Sequence, residues 1–240
     1  MIIWLLVLLA VAYLLGSIPA AQIVTRRYHR IDLREYGTGQ MGAGNLWRMT
    51  SWRLGLPVGI FDFAKGLVMV LAANLLGLDI AQQILVGSAA IIGHNWSVFS
   101  RFSGGRGVAT TCGIIFILPL INGITPWAWI SLVFFAILAI GSVTLRSSPV
   151  PVLACTASLP LAGWGLGVGL PITLSYLAIL LILIIKRLTP PLSAEAAPIS
   201  LGRVLLNRLL FDRDIMDRKF WMYRNSHKNT ETGNSLATNK

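Results

Sequence analysis

Three stretches of this chain place polar and cationic residues at spacings that suit phosphate chemistry. The first is Gly37-Thr38-Gly39-Gln40-Met41-Gly42-Ala43-Gly44-Asn45, followed by Arg48. Glycines such as Gly39 and Gly42 let backbone N–H groups approach an anion closely and form a concave nest for its oxygens. Thr38 and Asn45 add side-chain donors, and Arg48 adds a planar, permanently charged fork. Gly37, Gly39 and Gly42 also spell a dinucleotide fingerprint, but the strand and βαβ unit that this pattern needs are not in the sequence around it. A flexible loop with glycines for its turns fits the same residues.

The second stretch runs Ser103-Gly104-Gly105-Arg106-Gly107-Val108-Ala109-Thr110-Thr111 into an apolar segment. A glycine loop feeding a helix start offers free N–H groups and a positive dipole end, both attractive to phosphate. Arg106 supplies the counter-charge. In the third, Asp62 and Lys65 stand three apart inside an apolar run, on one side of a helix and able to pair. An unpaired charge at mid-bilayer costs at least a few kcal/mol (about 3), so such residues face a partner or a polar cavity. A structural ion pair near the membrane interface fits them too. His94, beside Asn95, suits a general base, a phosphate ligand or a helix-packing donor.

The elements that must hold these residues are membrane helices. Of the 240 residues, 55% are hydrophobic and 12% charged, where a soluble domain carries about 25% charged, and the mean hydropathy is +0.71. Seven spans are expected: Ile2 to about Val24, Leu54–Leu78, Ala81–Phe99, Gly107–Ile124, Trp127–Leu145, Val150–Trp164 and Leu170–Ile185. Several are short for a hydrocarbon core of about 30 Å, which implies tilt, re-entry or local thinning. The first lacks the basic leader and small-residue cleavage pattern of a signal peptide, so it reads as a retained helix. The fold class expected is therefore all-α, a polytopic bundle of about seven transmembrane helices over residues 1–188.

Charge placement orients it. With the N-terminus outside and the spans alternating, every Lys and Arg of the 20 in the chain falls inside except Lys65, which lies within a span. That is the positive-inside pattern. The net charge of +11 would suggest nucleic acid in a soluble chain. Here the basic residues flank apolar runs without a recognition module, so lipid headgroups and phosphorylated substrates explain them. Cys112 and Cys155 lie inside apolar runs as small buried hydrophobes, and His29, His94 and His227 are too scattered for a metal site. After the spans, 189–200 reads as a Pro- and Ala-rich linker. An amphipathic helix over 201–224 would lie on anionic lipid or pack on the membrane domain, and 225–240 as a polar, disordered tail.

From Gly16 to about Pro119 the residues resemble the bacterial acyl-phosphate:glycerol-3-phosphate acyltransferases of the PlsY type. The matching pieces stand in family order: G-S-I-P at Gly16–Pro19, D-L-R at Asp32–Arg34, and the glycine element with its Asn and Arg from Gly37 to Arg48. Then come D-F-x-K-G at Asp62–Gly66, G-H at Gly93–His94, and G-G-R-G-V-A-T at Gly104–Thr110. The resemblance implies a seven-helix bundle in the bacterial inner (plasma) membrane, with its site and C-terminus cytoplasmic. The implied reaction moves a fatty acyl group from acyl-phosphate to the 1-hydroxyl of glycerol 3-phosphate, without cofactor or metal, releasing lysophosphatidate and phosphate. It also implies Thr38, Asn45 and Arg48 on one phosphate, with Ser103 to Thr110 and Lys65 on the other or nearby. Because acyl-phosphate is already activated, no Ser or Cys nucleophile is needed. Arg48 and Arg106 would neutralise phosphate charge, and the hydroxyl proton would pass to a substrate phosphate oxygen or to His94.

The chain departs from the family pattern at Gln40, Gly44, Ser103 and Arg106, where Asn, Thr, Lys and Lys are usual. The family's run of Arg, His, Glu and Asn after the last span is replaced by Lys186-Arg187-Leu188-Thr189-Pro190, and the long tail is extra. Two other readings stay open on these residues: a transporter or binding protein for phosphorylated anions, and a non-catalytic regulatory paralogue. Oligomeric state is not indicated.

Overall fold

The computed structural model of the chain describes residues 2–123, 125–191, 193 and 196–222; the tail expected to be disordered over 225–240 lies outside them. The α-helices are α1 (Ile2–Gly16), α2 (Ala20–Tyr28), α3 (Ala43–Met49), α4 (Trp52–Leu75) and α5 (Ile80–Asn95). They continue with α6 (Val108–Asn122), α7 (Trp127–Thr144), α8 (Pro149–Gly165), α9 (Leu170–Leu188) and α10 (Leu201–Phe211), and two single 3-10 turns sit at Leu33–Glu35 and Val98–Ser100. The protein is all-helical, and among the described residues four helical stretches are long and apolar enough to cross a bilayer: Ile2–Tyr28, Trp52–Leu75, Trp127–Thr144 and Leu170–Leu188. The other expected spans are present as apolar helices of 16, 15 and 17 residues, α5, α6 and α8.

The chain forms two compact units, residues 1–19 with 60–190, and 20–59 with 191–240. This partition differs from the expected serial division into 1–188, linker and tail. The first polar segment and the tail share a unit, and α4 contributes its opening turns to it.

In the larger unit, close approaches at glycines fix where the polar residues end up. A Cβ on Gly16 would collide with the carbonyl of Ala90, and one on Gly93 with that of Tyr13. Small residues therefore let α1 and α5 pack backbone to backbone, as membrane helices do where no solvent drives them together. Gly66 against Thr110 and Gly113 against Phe63 do the same for α4 and α6. The result sets Asp62 and Lys65 of α4 level with the end of α5 and the start of α6. Two apolar clusters hold the bundle, one of Ile84, Ile91, Ile114, Ile115, Phe134, Leu159 and Ile179 among others, the other of Leu8, Ala12, Met69, Ala73, Val86 and Ala90 with Leu78. α5 starts at a capping box in which Asp79 accepts from the Gln82 N–H at 2.9 Å and the Gln82 side chain accepts from the Asp79 N–H at 3.1 Å.

Boundaries differ from expectation at two points that matter. The first span breaks at Ser17–Pro19, between α1 and α2, because Pro19 offers no N–H and restricts Ile18. The third stops at Asn95 instead of running to Phe99, because the following chain turns back on itself. Phe102 N–H donates to Ser97 O at 2.8 Å, and Gly105 N–H to His94 O at 3.1 Å.

The smaller unit packs Ala21, Leu33, Leu46 and Val58 into its own core. Its tail helix is shorter than the expected 201–224: α10 ends at Phe211, and Asp212 takes a left-handed conformation, φ 57°. Val204, Asn207, Arg208 and Trp221 are buried, so this stretch packs on protein along one side.

Candidate active site

The smaller unit holds the first glycine loop. Gly37 and Gly39 take positive φ, 59° and 74°, conformations that cost a residue with a Cβ. Asn45, buried in α3, stitches the loop together. Its Oδ1 accepts from the Thr38 N–H at 3.0 Å, and its Nδ2 donates to Tyr36 O and Gln40 O, each at 3.0 Å. The amide is thereby spent on backbone, so Asn45 shapes the loop. Thr38 and Arg48 are different. Among the described residues neither the Thr38 hydroxyl nor the Arg48 guanidinium makes a hydrogen bond, and Arg48 is solvent-accessible. Partial desolvation, then the like charge of Arg218, lowers the proton affinity of Arg48, and Asp212 pulls it back up; the group stays a cation at neutral pH. Asp32, in the preceding turn, is bound by Arg34 through Nε at 2.9 Å and Nη2 at 2.6 Å, and by Arg26 at 3.1 Å. The Arg34 guanidinium holds its carboxyl well below the usual carboxylate range.

The larger unit gathers the rest. Asp62 Oδ1 lies 2.8 Å from Lys65 Nζ and 3.4 Å from His94 Nδ1. Lys65 also donates to Gly16 O at 3.2 Å and Ile18 O at 2.7 Å. An ammonium has three N–H donors, and all three of these are used, two of them on carbonyls at the end of α1. Thr110 donates to Asp62 O at 3.0 Å. Asp62 thus faces the imidazole of His94 with one oxygen, an arrangement that orients Nδ1–H and leaves Nε2 as the basic nitrogen. Gly105 passes directly over that nitrogen: a Cβ there would strike His94 Nε2, while one on Gly104 would strike the carbonyls of His94 and Asn95. The paired glycines are there because the loop is pressed onto the end of α5.

Beyond them, Arg106 Nη1 donates to Lys186 O, and Lys186 Nζ donates to Asn95 O. Lys65, Arg106 and Lys186 therefore each cover the carbonyl end of a helix, α1, α9 and α5 respectively, where the helix dipole favours a cation. The start of α6 receives no side-chain cap from Gly107, and the Asn95 amide, fully buried, has no hydrogen-bond partner among the described residues. A Cβ on Gly107 would come within 3.0 Å of Asn95 Oδ1, so this unspent amide lies at the foot of α6. Ser103 closes the loop through a bridge to Ser97. No three His, Cys, Asp or Glu side chains come together among the described residues.

The candidate residues thus divide into two sets, each assembled within its own unit. Thr38, Gly39, Gly42, Asn45 and Arg48 form one, and Asp62, Lys65, His94, Ser103, Gly104, Gly105, Arg106, Gly107 and Thr110 the other. Sequence reasoning gave no part to Lys186 or to the Asn95 amide, which the structure brings beside the second set. Lys186 carried a signal, a basic residue at the end of the last span.

An all-helical membrane protein with a glycine loop followed by an exposed arginine defines the class; comparison with known proteins narrows it. Residues 6–190 match the family model described as glycerol-3-phosphate acyltransferase, and the chain belongs to that family. It is 35% identical to "Glycerol-3-phosphate acyltransferase 4" of Dehalococcoides mccartyi (strain CBDB1), covering 94% of this chain and 96% of that protein. Against "Glycerol-3-phosphate acyltransferase 5" of Dehalococcoides mccartyi (strain ATCC BAA-2266 / KCTC 15142 / 195) identity is 38%, covering 96% and 98%. Its structure is similar to the crystal structure of PlsY (YgiH), an integral membrane glycerol 3-phosphate acyltransferase, in the glycerol 3-phosphate form. The TM-score is 0.67 at 28% identity, covering 76% of this chain and 88% of that one.

Proposed function

We propose that this chain transfers a fatty acyl group from acyl-phosphate to the 1-hydroxyl of glycerol 3-phosphate, at the cytoplasmic face of a bacterial plasma membrane. The family match across residues 6–190, which takes in both residue sets, carries the reading. In the reaction the glycerol hydroxyl oxygen bonds to the acyl carbon and the bond from that carbon to the phosphate oxygen breaks. Lysophosphatidate and inorganic phosphate leave, and the hydroxyl proton passes to a phosphate oxygen or to His94 Nε2.

The residues take distinct parts in it. Arg48, with no hydrogen bond among the described residues, is a cation for a reactant phosphate, and Thr38 with the Gly39–Gly42 backbone supplies neutral donors. Arg106, the start of α6 and the Asn95 amide serve a phosphate in the larger unit. Asp62 and Lys65 position: one aligns His94, the other secures the end of α1. Gly104, Gly105 and Gly107 bring the Ser103–Thr110 loop down onto α5, and Thr110 ties α6 to α4. Cytoplasmic orientation is supported by the one-sided distribution of Lys and Arg.

Purified protein in detergent, given acyl-phosphate and glycerol 3-phosphate, should release phosphate and lysophosphatidate in equal amounts. Release no faster than in a protein-free control overturns the assignment. Flux of labelled glycerol 3-phosphate into proteoliposomes without chemical conversion would replace it with transport.

A further inference from the structure

The family model stops at residue 190, and the chain beyond it shares the smaller compact unit with residues 20–59. Within that extension α10 is built against the usual rule for a helix in water. Its side toward protein carries the polar residues. Arg208 donates through Nε to Asp214 Oδ1 at 2.6 Å and through Nη2 to Asp214 Oδ2 at 3.2 Å, both side chains being almost fully buried. Asp214 Oδ2 also accepts from the Ser193 N–H at 3.0 Å, Arg208 Nη2 donates to Pro191 O at 3.0 Å, and the buried Asn207 donates through Nδ2 to Asp214 O at 3.0 Å. A bidentate fork of this kind fixes orientation as well as contact. It sets which side of α10 faces outward.

The outward side is apolar. Leu201, Leu205 and Leu209 stand four apart along one row, with Gly202, Leu206 and Leu210 in the next. Leu201, Leu205 and Leu206 are 59%, 36% and 54% exposed, Gly202 is exposed, and no charge interrupts either row. Arg203, on the flank, is exposed too. Single exposed leucines need no explanation, but a helix that buries its Asn and Arg and shows its leucines is placed for an apolar solvent. That solvent is at hand. The smaller unit includes the opening turns of α4, a helix long and apolar enough to cross a bilayer. At its start the exposed Trp52 has the Arg53 guanidinium 5.9 Å from its ring centroid, and Trp with Arg at the end of a span is the signature of the headgroup level.

We propose that α10 lies along the bilayer surface, its leucine rows among the acyl chains and Arg203 on lipid phosphate. Phospholipid answers both features, apolar chains for the leucines and a negative charge for the flank. Asp212, which follows α10, accepts from Gln40 Nε2 at 2.9 Å, so a helix seated on lipid also tethers the first glycine loop to that surface. The membrane class of the protein is all the proposal requires; it does not depend on the acyltransferase reading.

Spin labels on the full-length protein, reconstituted into vesicles of phosphatidylcholine with phosphatidylglycerol, test the placement. A Cβ on Gly202 meets nothing within 4 Å, and Leu206 is exposed, so Gly202→Cys and Leu206→Cys each take a nitroxide without disturbing packing. Arg203→Cys is the reference. All three are made in a Cys112→Ala/Cys155→Ala background that elutes from size exclusion as the wild type does. Collisions with dissolved oxygen, which concentrates among acyl chains, are compared with collisions with a nickel chelate confined to water. The oxygen-to-nickel ratio at 202 and at 206 should exceed that at 203 severalfold. The proposal falls if nickel reaches 202 and 206 as readily as 203, which puts the face in water. It falls equally if oxygen and nickel are both excluded there, which puts the face against protein, with dipolar broadening between labels identifying a second copy. Turnover plays no part in the readout, so failure here leaves the acyltransferase assignment standing, and failure of that assignment leaves this placement.

Discussion

At the scale of single residues, the polar groups separate by whether their hydrogen bonds are already spent. Arg48 has none among the described residues, whereas Asn45 and Lys65 have every donor engaged. Arg48→Ala should accordingly lower kcat/KM by about 10²–10³, the cost of one missing donor to developing charge, with little change in melting temperature. Lys65→Met should show the opposite balance. It strands Asp62 and two helix-end carbonyls, costing about 3–5 kcal/mol of stability, visible as a lowered unfolding midpoint in detergent before any assay is run. The sequence sets Asn45 beside Arg48 in one polar stretch and Lys65 beside Asp62 in another, and the family resemblance put Asn45 and Lys65 on phosphates. Spacing shows which residues share a neighbourhood; it does not show where their hydrogen bonds go, since Lys65 bonds to carbonyls 47 and 49 positions away.

At the scale of elements, the glycine loops reward different readings. In the first, positive φ at Gly37 and Gly39 matches the expected turn-forming role. In the second, Gly104 and Gly105 serve packing against α5, a cause invisible without the partner helix. The two can be told apart from each other by experiment. Gly104→Ala would meet backbone that has no way to yield and should cost about 1–3 kcal/mol. Gly105→Ala would meet the movable imidazole of His94. It should reduce kcat by about 10² through misalignment while the unfolding midpoint moves less than in Gly104→Ala. The tail was legible only as amphipathic, because its buried fork depends on Arg208 and Asp214 facing each other across a turn whose left-handed residue, Asp212, gives no strong local signal. Burial pushes the Asp214 carboxyl up, but the Arg208 fork overrides it and holds it below its ordinary value. A depressed folded-state value means its stabilisation is complete above the unfolded carboxyl's range, near pH 4, and is lost as pH falls through the lower folded value. Melting temperature should therefore hold steady down to about pH 4 and decline below it, and Asp214→Asn should be less stable at neutral pH with a shallower acid slope.

At the scale of the whole molecule, composition and charge placement carried most of the information. The all-helical membrane class follows from 12% charged residues, and each expected span meets an apolar helix. What composition could not supply is the partition into two units that interleave along the chain, because contacts between residues 20–59 and a tail some 150 positions later leave no periodic trace. Orientation remains testable on its own terms: a fluorescent protein that matures only in the cytoplasm should fluoresce when fused after Lys240. A dark fusion that is nonetheless present in the membrane would reverse the assigned topology.

The cations over the ends of α1, α5 and α9 have a mechanical consequence. Each belongs to one element and grips another: Lys65 of α4 grips α1, Lys186 of α9 grips α5, and Arg106 before α6 grips α9. Axial slippage of any one of these rods would drag on its neighbour, so their heights are riveted together at this end of the bundle. The opposite end is joined by uncharged amides, Asn122 to Gln83 at 2.8 Å and to Asn74 at 3.4 Å, which break more cheaply. Whatever breathing the bundle does in a fluctuating bilayer should pivot about the riveted end, leaving His94 and its neighbours still while the far end flexes.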